Sequence, residues 1–146
     1  MEKISFDSGV KSYKINGSGV LRFNPGDPNV YARFLEAAEK LQDVEAALVE
    51  DAKKLSGTDG SGVVQLLSRA DKEIKQLLSW VFGVENDFDK ILGGVNLLAV
   101  TSNGQRVVTN LLEALQPILL EGAERCAGEK VSDAVQKAKA RRGETL

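Results

Sequence analysis

Histidine is absent from this chain. Its absence removes the commonest general base and the commonest transition-metal ligand. The single cysteine, Cys126, excludes an internal disulfide and any zinc site built on several thiolates. It stands inside an apolar run, where a cysteine reads as a small buried hydrophobe. No run approaches the roughly 20 apolar residues of a membrane-spanning helix. The opening MEKISFDSG has no hydrophobic signal core, so the expected compartment is a reducing cytosol. An excess of positive charge is missing as well. Nineteen Lys and Arg face 21 Asp and Glu, for a net charge of −2, whereas a dedicated nucleic-acid binder is usually basic. No GxSxG, no activated cysteine and no metal-spaced cluster is present. The expectation is a protein without catalysis, cofactor or metal.

What is present reads as one mostly α (α+β) domain of 146 residues, long enough to bury a core. Residues 24–55 organise it. A Pro/Gly/Asp turn opens this stretch, and Asp27 followed by Pro28 marks a helix start over 27–55. Phe34, Leu41, Leu48 and Leu55 recur every seven residues, with Ala37 and Val44 between them. They form one apolar stripe opposite Glu36, Glu39, Lys40, Asp43, Glu50 and Lys54. Such a stripe docks on its own core more readily than on a free coiled-coil partner at this length.

Ahead of that helix, residues 4–23 read as β. Tyr13 and Ile15 alternate with polar neighbours, as do Leu21 and Phe23, around the turn Asn16-Gly17-Ser18-Gly19. Residues 11–15 and 20–23 form the hairpin, and Ile4 with Phe6 suggests a third strand. A two-stranded hairpin is marginal alone, so it packs on the helices or offers its edge to another chain.

Past the helix, residues 56–62 (SGTDGSG) read as a flexible linker. Val63, Leu67, Ala70, Ile74, Leu77 and Val81 then mark a second amphipathic helix, ended by Gly83. Trp80 and Phe82 flank its stripe and serve either the core or a partner. Glu85, Asp87 and Asp89 lack the spacing and central glycine of a calcium loop. They fit a short helix capped by Asn86 or Asp87 and stopped by Gly93-Gly94. Residues 95–100 could begin another helix. From Val107 to Ala123 the apolar residues mark one face of a further helix, with a kink or a break expected at Pro117. Residues 63–126 thus make a helical core, and 127–146 a basic, fraying tail with Lys137, Lys139, Arg141 and Arg142.

Three segments carry a family resemblance: SYKINGSGVLRFNPGDPNVYARFLEA at 12–37, LLSWVFGVENDFDKILGG at 77–94 and VVTNLLEALQPILLE at 107–121. In this order they resemble the tail assembly chaperones of long-tailed bacteriophages and prophages, especially of Gram-positive hosts. The resemblance implies a protein of the host bacterial cytoplasm that is absent from the mature virion. It implies two partners, the helical tape measure protein and the major tail tube protein, and in many such phages a frameshifted longer form. From the residues, self-association and a groove for a partner helix are expected, with Trp80, Phe82 and Phe88 as the partner-binding residues. Two other readings stand beside this one. One is a small oligomeric scaffold or adaptor unrelated to phages. The other is a nucleic-acid-binding accessory protein that uses the basic tail.

Overall fold

The computed structural model describes residues 1–55, 57 and 60–144, with side chains for all of these except 129–135 and 138–144. Among the described residues two strands, β1 (Lys11–Ile15) and β2 (Gly19–Phe23), precede four helices. These are α1 (Pro28–Lys53), α2 (Gly60–Phe82), α3 (Phe88–Ile91) and α4 (Val107–Glu144). The layout is the expected one, a small hairpin followed by mostly helical chain.

The hairpin is antiparallel, pairing Lys11 with Phe23, Tyr13 with Leu21 and Ile15 with Gly19. Asn16 and Gly17 take φ of 48° and 81°, and the Ser18 N–H donates to the Ile15 carbonyl at 3.2 Å. Two consecutive positive φ values match the twist of the strands they join. Leu21 and Phe23 face inward and are buried, while Tyr13 and Ile15 are half-buried against the core. Gly19 carries a further constraint. A Cβ there would overlap the Ile91 carbonyl oxygen, at 2.0 Å, so a side chain at this position would push α3 off the hairpin.

No third strand forms from Ile4 and Phe6, which are 90% and 81% exposed. The reason lies at Asn24. Its Nδ2 donates to the Ser8 carbonyl at 3.0 Å, and its side chain lies against Gly9. The segment before β1 is led past the base of the hairpin instead of back along it.

Asn24 also builds the turn into α1. Its Oδ1 accepts the Gly26 N–H at 2.8 Å, and its carbonyl accepts the Asp27 N–H at 3.2 Å. Asp27 then caps α1 by accepting the Asn29 N–H, with Pro28 in the first turn. α1 and α2 pack antiparallel. Phe34, Ala37 and Leu41 meet Ile74, Leu77 and Leu78, and Val44 and Leu48 meet Ala70 near the other end. Val108 and Leu112 of α4 lie against the Phe34 end of this pair. Arg33 of α1 donates from Nε to the Val81 carbonyl at 3.1 Å, satisfying one of the free carbonyls at the end of α2.

The structure departs from the sequence reading at several boundaries. α2 starts at Gly60, so part of the expected linker is helical, while Ser56, Thr58 and Asp59 lie outside the described residues. A first helical turn has no intrahelical N–H bonds to lose, so glycine is tolerated there. Residues 95–100 form turns instead of a helix. The Leu97 N–H goes to Asp71 Oδ1 and the Leu98 N–H to Asn96 Oδ1, both at 2.8 Å, so side chains take the bonds a helix would use. This loop then caps α4, whose Val107 and Val108 N–H groups donate to the Ala99 and Leu97 carbonyls. α4 continues through Pro117 without a break. Pro117 and Glu113 are both exposed, so water can take the carbonyl that the proline leaves unbonded. Burial fades beyond Gly122, and Cys126 is half-buried, not sealed in the core. Lys137 is exposed; the side chains of Lys139, Arg141 and Arg142, like residues 145 and 146, lie outside the described set.

Candidate functional site

The three aromatic residues expected to bind a partner divide into two groups. Phe82 and Phe88 are 4% and 1% exposed. They end a chain of ring contacts that begins in the hairpin. Tyr13 stacks on Phe23 at 5.0 Å, Phe23 meets Phe82 edge-on at 4.9 Å, and Phe82 lies 5.8 Å from Phe88. These rings join β1 and β2 to α2 and α3, so neither Phe82 nor Phe88 presents a surface. The expectation of a partner strip through them is corrected. A hairpin too small to be stable alone needs such a platform, and the large rings at the end of α2 supply it.

Trp80 is placed differently. At about 100° per residue it lies about 200° around α2 from buried Leu78. It is 41% exposed, and the Lys40 ammonium of α1 sits 4.8 Å from its ring centre. Beside it, Val84 is 89% exposed at the bend after Gly83. The two border an open concavity of about 440 Å³ between the end of α2 and α3, with Gln76 and Ser79 on its wall. One rim is apolar and the other carries Lys75, Asp87 and Asp89.

The polar side of this concavity is rigidly built. Asp87 caps α3 by accepting the Asp89 and Lys90 N–H groups. Asn86 is buried and acts as a latch. Its Oδ1 accepts the Arg22 N–H at 3.0 Å, and its Nδ2 donates to the Arg22 carbonyl at 2.9 Å and to the Phe82 carbonyl at 3.0 Å. The carboxamide thus pairs with β2 as a neighbouring strand would. Ser79 donates its hydroxyl to the Asn86 carbonyl at 2.7 Å, fixing the same bend from α2.

Lys75 is 8% exposed on α2 and is held by two carboxylates, Asp71 Oδ2 at 2.8 Å and Asp89 Oδ1 at 2.6 Å. Asp71 also holds the Leu97 N–H, so one carboxylate links α2 to the loop before α4 while Lys75 links α2 to α3. Burial by itself depresses the Lys75 ammonium. The hydrogen bonds to Asp71 and Asp89, and then their charges, outweigh it, and its pKa stands above the ordinary 10.5. The hydrogen bond from Lys75, followed by its charge, holds the Asp89 carboxyl below the ordinary 3.8. The Lys75 contribution is present below its unfolded pKa and is lost as pH rises through the folded value. The Asp89 contribution is present above its unfolded pKa and is lost as pH falls through the folded one. The stability gap between the native chain and a Lys75→Met variant should therefore be flat across about pH 5–9 and narrow outside it, as read by urea unfolding. Asp71→Ala should cost about 2–4 kcal/mol at pH 7, because it strands the Leu97 N–H and half of the ammonium's bonding. A pH-independent gap, or an Asp71→Ala chain as stable as native, would contradict this account.

A second concave surface was not anticipated from the sequence. A groove of about 420 Å³ runs between β1 and α4, lined by Tyr13, Ile15, Leu92, Val107, Leu111 and Ile118 among others. Its signal lies in α4. Val108, Leu115 and Leu119 are buried, while Val107, Leu111 and Ile118 form a second, half-buried stripe beside them. The apolar arc of α4 is wider than one docking face requires.

No protein-family model, curated protein or solved structure matches this chain. Among the described residues no helix is long and apolar enough to cross a membrane.

Proposed function

We propose that this protein is a tail assembly chaperone of a long-tailed bacteriophage or prophage. In this reading it holds the helical tape measure protein in the host cytoplasm, recruits tail tube subunits, and leaves before the virion is complete. One observation carries the reading: the apolar rim formed by Trp80 and Val84, which stays uncovered while every other aromatic of α2 and α3 is used in the core. A tryptophan half out of the surface beside an aliphatic residue and an open concavity suits the apolar stripe of an amphipathic helix. Lys40 of α1 lies over Trp80 and pairs with Glu36 at 3.5 Å, which gives that surface a polar border. Such a border is the usual frame of a protein-binding patch. The mostly helical chain adds support, since a helical protein is what the resemblance implies.

Co-expression with the tape measure protein of the same phage tests the proposal. The native chain should be recovered in complex with it. Trp80→Ala combined with Val84→Asp should weaken binding at least tenfold, about 1.4 kcal/mol, without lowering stability. Absence of a complex with the native chain would end the reading. Undiminished binding by the double variant would move the site away from this rim.

A further inference from the structure

The segment before β1 and the groove beside β1 are complementary, and the chain does not join them within one copy. Arg22 of β2 gives both its backbone groups to Asn86, so they face away from β1. The Ser12–Arg22 pair is therefore a non-hydrogen-bonded one. Alternation along the ladder then turns the N–H and carbonyl groups of Ser12 and Lys14 outward, on the far edge of β1. Among the described residues no strand pairs with that edge. Directly beneath it runs the apolar groove lined by Tyr13, Ile15, Leu92, Leu111 and Ile118.

The leading segment has what this edge lacks. Ile4 and Phe6 alternate with Lys3, Ser5 and Asp7, the period of a strand with one apolar face. Both are almost fully exposed. The segment cannot reach its own β1 edge while Asn24 holds Ser8 and Gly9 at the base of the hairpin.

We infer that two or more copies of this chain exchange these segments, residues 3–7 of one copy adding as an antiparallel strand to the open edge of β1 in another. The register is fixed by the pleat. Phe6 lies opposite Tyr13 and Ile4 opposite Ile15, which drops both apolar side chains over the groove. Ser5 faces Lys14 and Asp7 faces Ser12, placing the Asp7 carboxylate on a diagonal from the Lys14 ammonium. The same register would close within one chain through a two-residue turn at Gly9-Val10, so the exchange is a strand swap with its hinge held open by Asn24. The occupant is a second copy, and the inference stands whether or not the tape measure protein is the partner at Trp80.

Disulfide trapping tests it. In a non-hydrogen-bonded pair the Cα atoms lie about 4.5 Å apart, within reach of a disulfide. In a Cys126→Ser background, Phe6→Cys with Tyr13→Cys should give covalent dimers or larger species on a non-reducing gel after mild oxidation. A disulfide formed only within one chain, or none at all, would overturn the exchange. An independent variant is Lys14→Pro, which removes an outward N–H while leaving the bonds between β1 and β2 intact. By light scattering of the full chain, native protein should be oligomeric, and Lys14→Pro should shift its self-association midpoint at least tenfold toward monomer. A monomeric native chain, or an unchanged midpoint, would count against the inference.

Discussion

Asn86→Ala should destabilise the protein by about 3–5 kcal/mol, a large part of the roughly 5–15 kcal/mol that holds a domain of this size together. The side chain is only 3% exposed and makes three hydrogen bonds, two with the Arg22 backbone and one with the Phe82 carbonyl. Alanine leaves the buried Phe82 carbonyl and the part-buried Arg22 N–H and carbonyl without this partner. Each such orphan costs about 1–3 kcal/mol, with partial relief from relaxation. The loss falls on the contact between the hairpin and the helices, because Arg22 lies 64 residues from Asn86 and the carboxamide bridges the two. Asn86→Asp separates hydrogen bonding from size. It keeps the acceptor, loses both donations, and sets a carboxylate against two carbonyl oxygens. At pH 7 it should be at least as harmful as alanine. Burial and the facing carbonyls raise the carboxyl pKa, so the protonated form, which can donate once, is reached as pH falls and part of the loss should be regained near pH 5. Urea unfolding followed by the fluorescence of Trp80, the chain's single tryptophan, gives both numbers. A cost under about 1 kcal/mol for alanine would mean that the Arg22 backbone finds other partners.

Local chemistry was readable where it involved neighbours in sequence. Asp27-Pro28 opens α1, Asn16-Gly17 turns the hairpin and Gly83 ends α2, each for a reason contained within four residues. The latch was not readable. Asn86 followed by Asp87 before a short helix offers two equally good caps, and only the fold shows Asp87 capping while Asn86 reaches across to β2. Lys75 shows the same limit. Its spacing from Asp71 fits an ordinary surface pair of the (i, i+4) kind. What buries it is α3, which brings Asp89 from another element.

The candidate surface follows the same division. From α2 alone, Trp80 and Phe82 are two large aromatics beside one stripe, and nothing local ranks them. The hairpin ranks them, because Phe23 of β2 arrives on the Phe82 side and leaves Trp80 outside. Polar clusters built by the same contacts then hold the exposed rim still. Asn86 and Ser79 fix the bend that carries Val84, so the rim is pre-shaped before any partner arrives.

Gly122→Ala should reverse the usual sign of a helical Gly→Ala exchange. In a helix interior the added methyl normally stabilises by about 0.5–1 kcal/mol, because it restricts the unfolded chain. At Gly122 the Cβ would lie 1.7 Å from the Pro25 carbonyl oxygen and 2.5 Å from its carbon. Carbon and carbonyl oxygen rest no closer than about 3.3 Å, so α4 and the turn must part by about 1.5 Å. Neither side yields easily. The turn is held by the two bonds that Asn24 accepts and leads straight into the cap of α1. α4 is held by Leu115 and Leu119, which are 3% and 0% exposed on the turns before Gly122. Overpacking against such a contact costs about 3 kcal/mol or more. Gly128, further along α4, is the control, since a Cβ there meets nothing within 4 Å. Gly128→Ala should stabilise by about 0.5–1 kcal/mol. Thermal unfolding by circular dichroism should move the two variants in opposite directions, Gly122→Ala down and Gly128→Ala up. If Gly122→Ala also moved up, α4 would not rest on the turn that starts α1, and the close approach that seats it would be refuted.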